Sequence, residues 1–493
     1  MPESPPISLA TLRGRAGVYR TSLTEQGGAS FWLERDGDGK CLMVLAADEA
    51  QLNFSGEAET HSDGHSLKRC ATNDANARAL RRALPWLEPQ PLGFVTSAGC
   101  GDRLGLATPG HVAAFGEVGG GIAPIFAQQS IREMTRTQRS PEDVMRDATW
   151  GAFEAGWRGP VGADADHLKT FEDIDRCANA GFTFFTIDPG EHVDDEAHGA
   201  SPSAVEEKVD ALPWPELESS RQELEGHYIG TTVELETKGL VLEREAVLRA
   251  AAKYGRAVAH VARMYRHLGA KGVPFELEVS VDETQTPTSH AEHAVVALEL
   301  RRLGVRFVSL APRYVGRFEK GIDYLGDHDA LREDLAGHAA LARALGPYKL
   351  SLHSGSDKFS VYPIIHELTK GMVHLKTAGT SYLEALRVIA RLEPDLLRKI
   401  GALAKAQFEQ DRASYHISAD LQSVPDFAAL GEAELVGLLD HNDSRQVLHV
   451  TFGSALDAFK PELMGVLKAH EEAHYDTVRQ HFVKHLAPFA RKL

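Results

Sequence analysis

Residues 274–283 read PFELEVSVDE, and the two faces of this stretch carry different chemistry. Phe275, Leu277, Val279 and Val281 are apolar, and Glu276, Glu278, Ser280 and Asp282 alternate with them. A period of two is that of a β-strand, and the apolar face predicts packing against helices. The polar face needs a different neighbourhood, because buried carboxylates without partners cost several kcal/mol or take up protons. A closed parallel barrel satisfies both faces: outward side chains meet helices, and inward ones converge at the centre.

Runs of the same kind recur from residue 91 onward: LGFVTS at 92–97, PIFAQQ at 124–129, PVGADA at 160–165, FTFFTID at 182–188, PFELEVSV at 274–281, RFVSLAP at 306–312, YKLSLH at 348–353 and VHLKT at 373–377. Segments of helical periodicity separate them. SPEDVMRDATWGAFEAGW, for example, opens with Ser140 as a cap, Pro141 at the first helical position and acidic residues in the first turn. Eight such units predict an α/β fold, a (β/α)8 TIM-type barrel over residues 91–385, more than an open doubly wound sheet. Residues 1–90 read as a small mixed α/β domain, and residues 386–493 as a mainly helical extension containing a strand-like piece, RQVLHVTFGS, at 445–454. An acidic insertion at 193–227 interrupts the fourth unit.

A formal charge of −17 argues against broad nucleic-acid or anionic-membrane binding and leaves small molecules as the expected partners. Cys41, Cys70, Cys100 and Cys177 are scattered without CxxC spacing, which suggests neither a zinc cluster nor a disulfide framework and fits the cytoplasm. No run approaches the roughly 20 apolar residues that span a bilayer. Association into a homo-oligomer remains open at this level.

The alternation places Thr186 and Asp188 inward on the fourth strand, Ser351 and His353 on the seventh, and His374 and Lys376 on the eighth. Barrel interiors are ordinarily filled by Val, Ile and Leu, so these groups form either a closed ion-pair network or the surroundings of a metal and a polar ligand. Their place near the strands' C-terminal ends, where barrel active sites are built, favours the second. In TIDPGEH, Asp188, Glu191 and His192 follow the fourth strand around a Pro-Gly turn. Three imidazoles, His192, His353 and His374, offer nitrogen donors suited to a divalent transition ion, with Glu191 and Glu278 left for proton transfer. For His374, burial against Glu276 one layer lower is an equally simple reading. HSGSDKF adds Lys358, and HLKTAGTSY adds Lys376, as fixed positive charge for an anionic substrate. AQQSIRE (Gln128, Gln129, Arg132) and GADADHLK (Asp164, Asp166, His167, Lys169) lie at further strand ends, where sugar hydroxyls or plain hydration would explain them. Tyr415, His416, Arg445 and His449, in the extension, read mainly as polar groups that satisfy one another.

Together TIDPGEH, ELEVSVDET, LSLHSGSDKFSVYPII, HLKTAGTSYLEALR and RQVLHVTFGS resemble the tagaturonate/fructuronate epimerase family of bacterial hexuronate catabolism, over about residues 92–460. The resemblance implies an isomerase that uses a divalent cation (Zn, Ni, Mn or Co) to invert a hydroxyl-bearing carbon of a ketouronate. It implies a proton acceptor, placed at Glu191, a donor, placed at Glu278, and metal on His192, His353 and His374. Lys358, Lys376 or Arg132 would hold the uronate carboxylate, with Gln129 and Asp188 as further substrate contacts. The rival readings are a metal-dependent aldolase or ketose isomerase on related sugars, and a sugar-acid-binding barrel without turnover.

Overall fold

A computed structural model of the chain describes residues 9–47, 53–60 and 65–490. After a short helix, Leu9–Leu12, come five antiparallel strands: β1 (Thr24–Gln26), β2 (Ala29–Asp36), β3 (Gly39–Ala46), β4 (Gly56–Thr60) and β5 (Ser66–Ala71), ordered β1-β2-β3-β5-β4. The helix Asp74–Ala83 follows, capped by the Asn73 side chain, and Arg81 reaches Thr149 (2.9 Å) on the helix Pro141–Glu154. Ser140 caps that second helix in a reciprocal capping box with Asp143, as its sequence predicts.

Eight parallel strands then close a barrel. They are β6 (Ser97–Gly101), β7 (Ala123–Ser130), β8 (Gly162–Leu168), β9 (Phe184–Ile187) and, after the hairpin β10 (Thr232–Glu234) and β11 (Gly239–Val241), β12 (Glu276–Val281), β13 (Ser309–Pro312), β14 (Lys349–Leu352) and β15 (Val373–Thr377). β15 pairs with β6 to complete the cylinder, aligning His374 with Ser97 and Lys376 with Gly99.

Two sequence expectations shift. The first barrel strand is SAGCG at 97–101, not LGFVTS at 92–97: Phe94 and Val95 are exposed, and the Leu92 and Gly93 amides donate to Glu276 at the base of the barrel. Small residues suit this strand because its neighbours are bulky; a Cβ on Gly99 would lie 2.8 Å from the Gln128 side chain. The piece at 445–454 is helical, with Asn442–Val450 forming one helix and Phe452–Ala469 the next. Its β-branched residues are buried on a helix whose opposite side presents Arg445 and His449, four residues apart, to the barrel loops. Packing overrides strand propensity here.

The acidic insertion at 193–227 folds into the helices Pro202–Asp210 and Arg221–Tyr228, and the β10–β11 hairpin follows it. The C-terminal helices carry their own apolar cluster, including Leu397, Ile400, Phe408, Phe427 and Leu448. The last of them, Glu471–Leu486, packs on Thr108–Val118, where Gly110 permits an approach that a Cβ would block at 2.7 Å from the Tyr475 carbonyl. Among the described residues no helix is long and apolar enough to cross a membrane.

Candidate active site

The barrel interior is polar in layers. Lowest lie Glu276, Lys349 and His374; the His374 Nδ1 meets Ser97 Oγ at 2.9 Å, and Lys349 Nζ donates to the same hydroxyl at 3.0 Å. Burial, opposed in part by Asp164 and Glu278, pushes the His374 pKa down. His374 therefore sits below the mouth, and its expected partner Glu276 instead caps the chain entering β6.

One layer up, Lys376 gathers three carboxylates. Its Nζ is 2.9 Å from Asp164, 2.6 Å from Asp166 and 3.0 Å from Glu278, and it also donates to Thr186. Lys376 is 3% exposed and Asp164 and Glu278 not at all. Burial alone would neutralise such an ammonium, but the surrounding carboxylates outweigh that effect and raise its pKa. Glu278 and Asp166, likewise opposed by burial, are held well below the usual carboxylate range by Lys376 with His353 and His167 respectively.

At the mouth, the His353 Nε2 lies 2.6 Å from Glu278 and its Nδ1 3.1 Å from Asp282. Burial opposes protonation of this ring, yet the two carboxylates raise it to about 10. His167 packs beside it with ring centroids 5.0 Å apart and bonds Asp166 at 2.7 Å. His167 holds a left-handed backbone, φ 55°, which breaks the strand alternation and lets the consecutive Asp166 and His167 both face the mouth. Donor atoms of His167, Asp282 and His353 lie within 4.8 Å of one another, and so do those of His167, Asp188 and Glu283. Burial raises the pKa of Asp188, whose Oδ1 accepts from the Gly190 amide at 2.8 Å.

This donor set fits a divalent cation. Two imidazoles and several carboxylates are the ligand chemistry of a transition ion. The acidity that sustains a proton on His353 is also the electrostatic setting for a metal. Glu278 Oε2 and Asp188 Oδ2, both buried, have no hydrogen-bond partner. These are groups positioned to hold an ion.

The remaining expected site residues lie elsewhere or act differently. His192 turns from the mouth and stacks on His260 of the helix Arg244–Gly269, with ring centroids 4.1 Å apart. Glu191 is largely exposed, its carboxylate 3.2 Å from Lys169 Nζ. Gln129 pairs with Ala165, whereas Gln128 and Ser130 pair with the inward Asp164 and Asp166; Gln128 reaches Asp166 (3.2 Å), and Gln129 points to the opposite face. Arg132 stays at the rim, 3.3 Å from Glu283 and over the Tyr415 ring. Tyr415 and His416 of the extension join Arg313, Lys320, Asp282 and His353 around the same cavity. The extension thus roofs the mouth.

Lys358 and Asp357, the charged pair of HSGSDKF, are anchors. Lys358 is fully buried and donates to the carbonyls of Glu319 (2.7 Å), Ser356 (3.0 Å) and Ile322; Asp357 binds Arg445 at 2.8 Å and His481 at 2.6 Å on the extension. A lysine so placed fastens loops and does not reach a sugar acid. Lys358→Met is accordingly expected to lower stability by about 3 kcal/mol, read from the urea midpoint, because buried carbonyls lose their donor. An unchanged midpoint with a raised KM would return Lys358 to the substrate-binding set.

A family model described as tagaturonate epimerase matches residues 19–489. A curated relative from Thermotoga maritima, named tagaturonate/fructuronate epimerase, is 42% identical over 471 residues, covering 95% of this chain and 96% of the relative. Crystal structures of the fructuronate-tagaturonate epimerase UxaE from Cohnella laeviribosi superpose with a TM-score of 0.90 at 36% identity. The match to the one-glycerol complex covers 97% of this chain and 98% of that one; the match to the native form covers 97% of each.

Proposed function

The chain belongs to the tagaturonate epimerase family, and from that premise we propose that it interconverts tagaturonate and fructuronate at the mouth described above. The observation that carries this reading is the convergence of His167, Asp282 and His353, within 4.8 Å, directly over Glu278 and Lys376. In the proposal these three residues hold a divalent cation, Zn, Ni, Mn or Co. Such an ion supplies electrophilic stabilisation of the negative charge that develops at the ketone end of the sugar acid.

The carbon to be inverted is one removed from the carbon beside the ketone, so its C–H is not acidified and enolisation cannot invert it. Bond cleavage can. A carboxylate takes the hydroxyl proton, the adjacent carbon–carbon bond breaks, and its electron pair passes to an enediolate while an aldehyde forms. The aldehyde turns, the bond reforms on its other face, and the proton returns to the new alkoxide. Asp188 suits the proton transfer better than the exposed Glu191: burial raises its pKa, and Oδ2 has no hydrogen-bond partner. Glu278 is held ionised by Lys376 and His353, and its part is to fix both groups beneath the reacting carbons. Arg132, Arg313 and Lys320 at the rim supply positive charge for the uronate carboxylate. The four cysteines are buried free thiols, in keeping with a reducing cytoplasm.

Incubation of the purified protein with tagaturonate, followed by NMR, is expected to yield fructuronate, to stop on chelation and to resume when a divalent ion is restored. Release of a three-carbon fragment or formation of an aldose would instead favour the aldolase or isomerase readings. Deuterium at the inverted carbon is expected to give no primary isotope effect; a large one would replace bond cleavage by hydride transfer.

A further inference from the structure

A second cluster lies outside the barrel, where the helices His290–Arg302 and His328–Leu345 pack together. Asp334 and His338, one turn apart on the second helix, face His290 at the start of the first, and their donor atoms all lie within 4.8 Å of one another. The spacings inside this group are unusual. His338 Nε2 stands 3.5 Å from Asp334 Oδ1, and His290 Nε2 stands 3.8 Å from the same oxygen. Both exceed the 2.7–3.2 Å or so of an ordinary hydrogen bond. They approach the separation of about 3.3–3.5 Å that metal bonds of about 2.0–2.1 Å impose on neighbouring ligands of a tetrahedral ion.

Three further observations point the same way. His338 is fully buried, and its Nε2 makes no hydrogen bond of ordinary length: Asp334 stands 3.5 Å away, and the Thr288 backbone also approaches the ring. Its other nitrogen is held: Nδ1 meets His293 Nδ1 at 2.8 Å, and His293 Nε2 meets the Tyr348 hydroxyl at 2.7 Å. With an ion bound, the shared proton sits on His338 Nδ1 and the Nε2 lone pair turns to the ion between it and Asp334; the buried His293 and Tyr348 orient that ring as outer partners do for metal-bound imidazoles. Asp334 is similarly fixed, its Oδ2 accepting from the Val315 amide at 3.0 Å, which leaves Oδ1 directed at the two histidines. Finally, Gly337 interrupts the second helix beside the cluster, where glycine costs about 1 kcal/mol relative to alanine. A Cβ there would lie 2.2 Å from the His290 ring, so the glycine is what admits that ring to the group.

We propose that His290, Asp334 and His338 form a second, tetrahedral site for a divalent transition ion such as zinc, with a solvent molecule as fourth ligand. In the metal-free form His290 Nε2 donates to the Asp334 carbonyl at 3.0 Å; binding moves that ring proton to Nδ1 and frees Nε2. The ion clips the helices of two successive barrel units. The site shares no residue with the mouth cluster.

The test uses the full-length protein, stripped by chelation, saturated with zinc and desalted. Zinc is counted by mass spectrometry and located by anomalous diffraction. The wild type is expected to show an anomalous peak between His290 and His338 in addition to the one at the mouth. His290→Ala and Gly337→Ala are each expected to lose one ion per chain while keeping the mouth ion and epimerisation within about twofold of wild type. A single peak confined to the mouth overturns this proposal and leaves the catalytic one standing. Density between the helices that persists in His290→Ala overturns the ligand set. Density there with none at the mouth supports this site and sinks the catalytic assignment.

Discussion

His353→Ala is expected to lose the mouth ion and to lower epimerisation by roughly three orders of magnitude or more, the combined effect of losing electrophilic stabilisation and ordered proton transfer. The geometry concentrates several functions on this ring. One nitrogen touches Glu278 at 2.6 Å and the other Asp282 at 3.1 Å, so its removal also releases both carboxylates from their fixed positions. The fold survives, because the ring stands at the open end of the barrel and the apolar shell around the strands is untouched. Metal analysis, circular dichroism and the tagaturonate assay on one preparation check the three parts together. His192→Ala is the matched control: its ring stacks on His260 away from the mouth, so both ion content and turnover are expected to stay near wild type. Full metal occupancy in His353→Ala would remove that residue from the ligand set, and loss of the ion in His192→Ala would reinstate the reading drawn from TIDPGEH.

The contrast between these two histidines marks how far the chain can be read without coordinates. Lys376 and Glu278 lie on strands whose apolar alternation is strong, His353 directly follows one, and period two alone turns them inward. His192 follows a Pro-Gly turn, and its exit direction depends on the helix Arg244–Gly269, more than fifty residues downstream. His167 stayed among the polar strand ends open to hydration, because its left-handed backbone cancels the alternation that would have marked it. Lys358 reads as a substrate contact in HSGSDKF, since the Glu319 carbonyl that it binds is remote in sequence, as are Arg445 and His481, the partners of Asp357. The same remoteness hides the roof: Tyr415 and His416 reach the cavity, while Arg445 and His449 bind the loops beneath it. β6 was displaced for a simpler reason. Strand propensity follows bulky side chains, and the actual first strand is built from the small residues that its crowded neighbours require.

Lys376→Met is expected to cost about 3–5 kcal/mol, since it strips the counter-charge from carboxylates sealed in the barrel. The methylenes of methionine retain the packing, so the loss reports charge. Its pH dependence separates this cause from a packing defect. In the wild type Asp166 and Glu278 have depressed pKa values, and their contribution is complete above the unfolded carboxylate range near 4 and is lost only as pH falls below it. Without Lys376 burial dominates, and the folded-state pKa values of the released carboxylates rise above their unfolded ones. The folded variant then binds more protons than its unfolded chain, so its stability falls as pH rises toward the new values. The gap between variant and wild type is therefore expected to widen between about pH 5 and pH 8, in urea unfolding of chelated protein. A gap of equal size at both ends would mean that Lys376 contributes by packing alone, and the three-carboxylate cluster would no longer explain why an ammonium is buried at the centre of this barrel.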